Sequence, residues 1–428
     1  MGINQISITE DRAAGGKELG GSLWFRNEDN EYEHLERTVT TASPGAMWTY
    51  SVWIKRNDVY GQSGQSKQTL MSAESGGSNK SFIRYNNDAG ADTLRFYDAS
   101  TGNCDLVTVS NYRDTNDWIQ YVLAVDTTLN TSGNRVKFYT NGQLYEGAYW
   151  SSGNTTSDHF EEWNWFKTSV TQYIGKSTTD ASSYNTFRGG MSDVYLIDGI
   201  QLGPEHFGYT DPLTNIWRPK KFTRWDSDDG YKSNWSEMWG GTFDSDYRVT
   251  NGGSFNGTTT GYTQNEGSAE IHWTPSSPIS ISSSLQVYVT QGTSGQLELN
   301  DASVATTNND WTEIATSGTL TKLSLLSGSG SQWVQLKAVK VDGVILNDSA
   351  GRNSFHLPMD GKHPIGADQS GKGNDWTPKY FGGSASFDKA TGAFPILNTT
   401  SGGRVRVPGV RGSVGVAVTV YNLSLIHI

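Results

Sequence analysis

The chain has 428 residues, of which 18% are charged and 12% aromatic, with 49 glycines and 15 tryptophans. Its formal net charge is −11, and its densest basic run is the short Arg218-Pro219-Lys220-Lys221. The concentrated cationic surface that a phosphate backbone requires is therefore missing, and nucleic acid is disfavoured as a partner. The single cysteine, Cys104, permits no intramolecular disulfide, which suits assembly in a reducing cytoplasm.

The N-terminal stretch from Met1 to Gly21 has neither a basic start nor an apolar core, so it reads as a flexible or externally docked lead-in to the first domain and not as a secretory signal. From Ser22 the texture becomes that of an all-β chain. In WTYSVWIKR, Trp48, Tyr50, Val52 and Ile54 fall on one face and Thr49, Ser51, Trp53 and Lys55 on the other. That period of two predicts a strand with one face on a core. Further strands are predicted at Gln68–Ala73, Phe82–Asn86, Thr93–Tyr97 and Leu106–Asn111, and in the stretch from Trp118 onward. Asn141-Gly142 and Asp198-Gly199 are dipeptides that tolerate positive φ, and each predicts a tight hairpin. GPEHFG, from Gly203 to Gly208, predicts one helical turn.

Residues 209–234 form a connector carrying Pro212 and Pro219, which disfavour a central strand. From Trp235 to Asn347 short strands alternate with Ser-, Thr-, Gly- and Asn-rich turns, with a hairpin at Asp342-Gly343. This predicts a second, smaller β-sandwich over 235–347. Residues 348–422 read as a loop-rich C-terminal region. The longest apolar stretch, Val414 to Ile428, is too short and too interrupted by Asn422 and His427 to span a bilayer, so no membrane insertion is expected. The last six residues, Leu423 to Ile428, read LSLIHI, which is a translation of a transposon end used in preparing sequencing libraries. On that reading they are not natural protein, and the region before them is truncated.

The order of pieces from WIQYVLAVDTT through RVKFYTNGQLYEG and YIGKS to GGMSDVYLIDGIQLGPEHFG resembles the laminin-G-like (concanavalin A-like) lectin sandwich, over Ser22 to Gly208. The resemblance implies an antiparallel sandwich that binds a ligand, sugar foremost. More specifically, SLWF, YLIDGIQLGPEHFG, DPLTNIWRPKKF, FHLPMDGKHPIGADQSGKGNDWTP and ATGAFPILNT, in this order, resemble tail-fibre-like structural proteins of marine bacteriophages. That likeness implies a virion location, release by lysis, adhesion to a host-surface glycan, contacts with other virion proteins and a homo-oligomer.

Within this frame the densest candidate for sugar contact is the stretch from Tyr145 to Phe166, which gathers Tyr149, Trp150, Asn154, Trp163 and Trp165. Aromatic faces pack on sugar C–H surfaces, and amides bond hydroxyls. The competing reading is that these rings plug the sandwich edge or pack on a neighbouring subunit. Laminin-G-like domains often hold calcium at one rim, and Asp98, Asp126, Asp193 and Asp198 are the candidate ligands. The competing reading for each is a turn or strand-end aspartate bonded to its own backbone. The E-x-D-x-x-E pattern of retaining glucanases is absent. So are paired zinc-binding histidines and a phosphate loop. The expectation is a non-enzymatic binding protein, with a purely architectural virion component as the alternative and a polysaccharide hydrolase as a third reading.

Overall fold

A computed structural model describes residues 16–381, apart from 27–31, 58, 60–66, 77–78, 87–91, 99–103, 146–147, 151–162, 178–184, 224–234, 242–252, 267–269, 294, 328–332 and 349–352. It also describes 385–388 and 396–399. The fold is all-β, and its sheets are built from antiparallel ladders. The first sandwich takes its strands in the order β1 (Leu23–Phe25), β2 (His34–Thr38), β3 (Met47–Arg56), β4 (Lys67–Gly76), β5 (Asn79–Asn86), β6 (Thr93–Asp98) and β7 (Cys104–Thr108). It continues with β8 (Ile119–Asp126), β9 (Val136–Thr140), β10 (Gln143–Leu144), β11 (Ala148–Trp150), β12 (Thr171–Ile174) and β13 (Gly189–Asp198). One sheet runs β1-β13-β3-β8-β9-β10, and the other runs β11-β7-β6-β5-β4-β12-β2.

The alternation read in β3 is the alternation observed. Trp48, Tyr50, Val52 and Ile54 are buried in the core between the sheets, where Tyr121, Leu123, Phe96 and Leu196 meet them. The opposite face of β3 is engaged differently. Thr49 Oγ1 donates to the Ile200 carbonyl at 2.8 Å and accepts the Leu202 N–H at 2.8 Å. Residues after Gly199 thus fold back over the outside of this sheet, where Ile200, Leu202, Phe207 and Phe222 cover Val122, Tyr195 and Ile197. Pro204–His206 form the expected single helical turn.

Two of the three predicted hairpins form. Asn141 and Gly142 adopt φ of 47° and 80° between β9 and β10, and Asp342 and Gly343 adopt 51° and 84°. At Asp198-Gly199 the expectation is corrected. Only Gly199 has positive φ, at 94°. Its N–H donates to the Met47 carbonyl, and β13 ends there without a partner strand folding back on it. The Asp198 carboxylate instead accepts the Asn353 N–H at 3.2 Å.

That contact belongs to a larger correction. The stretch after Asn353 is not separate from the first sandwich, because it completes both of its sheets. Phe355–Leu357 pairs with β13 at Val194 to Leu196, end to end with β1, which pairs with β13 at Gly189 to Met191. Thr377–Lys379 pairs with the outer side of β2. Phe355, Leu357 and Trp376 are buried in the first core. Residues 235–347 are thereby an insertion in a discontinuous first sandwich.

The insertion has its own core of Phe255, Trp273, Leu285, Val287, Leu297, Leu325, Val334 and Leu336 between two five-stranded sheets. It is docked on the first sandwich. Met47 packs with Tyr288, Ala338 and Ile345, and Trp311 donates its indole N–H to Thr128 Oγ1 at 3.1 Å. At the other end of the chain Lys17 donates to Asp193 at 2.5 Å and its N–H bonds the Pro219 carbonyl, so the end of the lead-in is docked.

Candidate functional site

The aromatic residues singled out between Tyr145 and Phe166 do not form one surface. Trp163 precedes and Trp165 lies within a single helical turn, Asn164–Phe166, and they are 1% and 0% exposed. Their rings lie parallel, 6.0 Å apart, with the Phe96 ring stacked 5.0 Å from Trp163 and Trp48 standing edge-on at 5.3 and 5.4 Å. Such offset-stacked and edge-to-face pairs are the favoured aromatic geometries, and they bury the indole faces that a sugar would need. The expected sugar contacts at Trp163 and Trp165 are corrected accordingly: these rings plug the sandwich. Tyr149 and Trp150 lie on β11, an edge strand paired with Val107 and Leu106 of β7. Their side chains, and Asn154 altogether, lie outside the described residues.

The four candidate calcium ligands are dispersed and engaged. Asp98 accepts the Ser81 hydroxyl at 3.1 Å. Asp126 accepts Lys340 at 2.6 Å and the Thr128 N–H at 3.0 Å. Asp193 accepts Lys17 and, at 2.9 Å, His356 Nε2, and Asp198 is occupied by Asn353. Calcium requires six to eight oxygen ligands around one point. Among the described residues no group of three or more His, Cys, Asp or Glu side chains is placed to hold a metal. With Asp126 and Asp193 each neutralised by a lysine, these residues do not fit a calcium ion.

A different aromatic surface emerges from cross-strand register. Leu23 and Phe25 of β1, Met191 of β13, Ile54 of β3 and Ile119 of β8 all face the first core. Strand alternation turns their neighbours Trp24, Gly190, Lys55 and Trp118 to the outside of the sheet. Trp24 is directly opposite Gly190, and Gly190 is directly opposite Lys55. A Cβ placed on Gly190 would lie 3.0 Å from Cη2 of Trp118 and 3.3 Å from both Cε3 of Trp24 and Oγ of Ser22. The two tryptophans therefore close on one glycine from opposite sides, and both remain partly exposed. Lys55, also partly exposed, stands in the same row.

This row positions two indoles over a floor that lacks a side chain, beside a cation and a hydroxyl. Each indole offers a flat apolar face and an N–H donor, the pairing that suits a ligand with an apolar side and a polar rim. The described residues of the row are two indoles, a cation and a hydroxyl, an arrangement that can hold a ligand. No local sequence pattern singles these residues out together. The period of two read in WTYSVWIKR places Lys55 outside, and the same period extended to SLWF would place Trp24 there. A glycine inside a strand pattern, as in Gly189-Gly190, marks close approach of another group. What joined them is register across four strands, which no local pattern encodes.

No protein-family model matches the chain, and no curated protein matches it. Solved structures similar to it include a heptameric SAP-like pentraxin from Limulus polyphemus, at 13% identity and TM-score 0.31, over 42% of this chain and 76% of that chain. A Ruminococcus gnavus IT-sialidase CBM40 is similar at 14% identity and TM-score 0.28, over 41% of this chain and 89% of that chain. Domains LG4-5 of the mouse laminin alpha1 chain are similar at 12% identity and TM-score 0.29, over 92% of this chain and 89% of that chain. These scores assign no function.

Proposed function

We propose that this chain is a non-enzymatic virion protein of a bacteriophage that attaches to carbohydrate on the bacterial host surface. The observation that carries the binding reading is the Trp24–Gly190–Trp118 arrangement, two partly exposed indoles meeting over a glycine on a rigid sheet. A sugar ring laid on such indoles would exchange water on its C–H face for aromatic carbon while keeping its hydroxyls wet. The phage setting rests on the ordered likeness of its segments to tail-fibre-like proteins, and on their continuation beyond Gly208. Attachment of this kind is weak per site, and many copies on one particle raise it by effective concentration. The absence of the glucanase carboxylate pattern from the sequence supports a binder over a hydrolase.

A second reading, an architectural virion component whose sandwich serves protein contacts, draws support from the burial of Trp163 and Trp165. The two separate on a bacterial-surface glycan array probed with the full chain, with and without calcium. The adhesion reading expects glycan binding that Trp24→Ala weakens. Binding to no glycan, alongside retention in purified particles, would favour the architectural reading.

A further inference from the structure

Lys55 stands in the Trp24–Gly190–Trp118 row with no acidic partner among the described residues, in a chain whose formal net charge is −11. Basic side chains elsewhere do form ion pairs, among them Lys17 with Asp193, Arg56 with Asp92, Arg95 with Asp105, Lys322 with Glu270 and Asp301, Lys340 with Asp126 and Lys379 with Glu36. The carboxylates on the loop leading into β8 are Asp114 and Asp117, and Asp114 is occupied by the Asn116 N–H at 2.7 Å. Two arginines lie on one side of the row, Arg26 immediately after β1 and Arg188 immediately before the antiparallel β13.

From this placement we infer that the ligand of the tryptophan row is an anionic saccharide, whose ring lies against the indoles and whose acidic substituent meets Lys55. The inference rests on the carbohydrate reading above and sharpens it to a substrate class. A lysine ammonium is a compact charge with three rotatable donors, so it accepts a carboxylate, sulfate or phosphate ester without the planar fork an arginine would impose. Set beside apolar indole faces, that charge is less screened than on an open polar surface, and it attracts an anion more strongly. A neutral sugar would leave the ammonium unmatched as its water is displaced, which costs affinity and discriminates against neutral glycans.

The test uses the full chain and paired polymers that differ only in charge: polygalacturonate against its carboxyl-reduced form, and dextran sulfate against dextran. The same protein is read on a bacterial-surface glycan array that includes phosphate-bearing sugars. The wild type should prefer a charged member of a pair by about tenfold or more, an increment of about 1.4 kcal/mol. That preference should shrink as salt rises. Lys55→Gln should abolish the preference, Lys55→Arg should restore part of it, and Trp118→Ala should weaken charged and neutral binding alike. The pair that responds identifies the anion as carboxylate or sulfate, and the array reports phosphate. Equal binding of charged and neutral members, unchanged by Lys55→Gln, would overturn the anionic class and leave carbohydrate binding standing. Binding to no polymer and no array glycan would overturn both.

Discussion

Lys340 of the inserted sandwich and Asp126 of the first form an ion pair of 2.6 Å whose side chains are 4% and 5% exposed. Trp311 lies over the ammonium at 4.1 Å, and Thr128 Oγ1 accepts from it at 3.1 Å. Burial lowers the pKa of Lys340, and Asp126 opposes that shift by favouring the charged form. The two sandwiches are thus joined at a desolvated pair whose members lie more than two hundred residues apart in the chain.

Removing one member should be more harmful than removing both. Lys340→Met leaves the Asp126 carboxylate buried without its cation, and the expected loss is roughly 3–5 kcal/mol by chemical denaturation. Adding Asp126→Leu should recover most of that loss, because an apolar pair of similar volume requires no buried charge. If the double variant is less stable than the single one, the pair contributes more than its desolvation removes.

The tryptophans divide into two classes with opposite expected phenotypes. Trp163→Ala opens a cavity against Phe96 and Trp48 and should cost about 3–5 kcal/mol. Trp118→Ala truncates a partly exposed ring and should cost far less, while weakening ligand binding. Thermal melts and binding measurements on both variants check this separation.

Acid should destabilise the protein before its carboxylates titrate. Burial is the largest influence on both His34 and His356 and lowers the pKa of each below 6.5. For His356 the Asp193 carboxylate and the Asp368 charge oppose the shift, and Lys17 reinforces it. With a depressed folded-state pKa the unfolded chain binds more protons. The stability from these histidines is therefore present above pH 6.5 and lost as pH falls below it. The melting temperature should drop between about pH 7 and pH 5. His356→Gln combined with His34→Gln should flatten that slope, and an unchanged slope would assign the acid sensitivity elsewhere.

Gly142 is predicted to resist substitution. Its φ is 80°, and a Cβ there would lie 2.4 Å from the Trp217 ring, whose N–H donates to Gln120 at 2.6 Å. Gly142→Ala should cost about 1–3 kcal/mol through strain and the displaced ring, measured by denaturation.

Such turns were legible in the sequence because their signal is local. Asn-Gly and Asp-Gly need positive φ at both positions, and the structure supplies it at Asn141-Gly142 and Asp342-Gly343. Asp198-Gly199 carries the same letters, but its neighbours follow a covering segment instead of a returning strand. The alternation of β3 was legible because Trp48, Tyr50, Val52 and Ile54 all face the first core, while Thr49 on the other face bonds the covering segment. The return of Phe355–Leu357 to β13 was not legible, since a three-residue strand has no period and its register is set by a partner some 160 residues away. Nor was the fate of Trp163 and Trp165. In a non-periodic loop an aromatic run looks the same whether it faces a ligand or closes a core. The Trp24–Gly190–Trp118 row had its letters in view and its register hidden.

The most direct test of the account crowds the glycine on which the two rings close. Gly190→Val places methyl groups where the rings of Trp24 and Trp118 now converge, without adding or removing charge. On a bacterial-surface glycan array, the account predicts that this variant loses most of the wild-type binding while melting cooperatively near the wild-type temperature. Glycan binding equal to wild type by a folded Gly190→Val protein would contradict it.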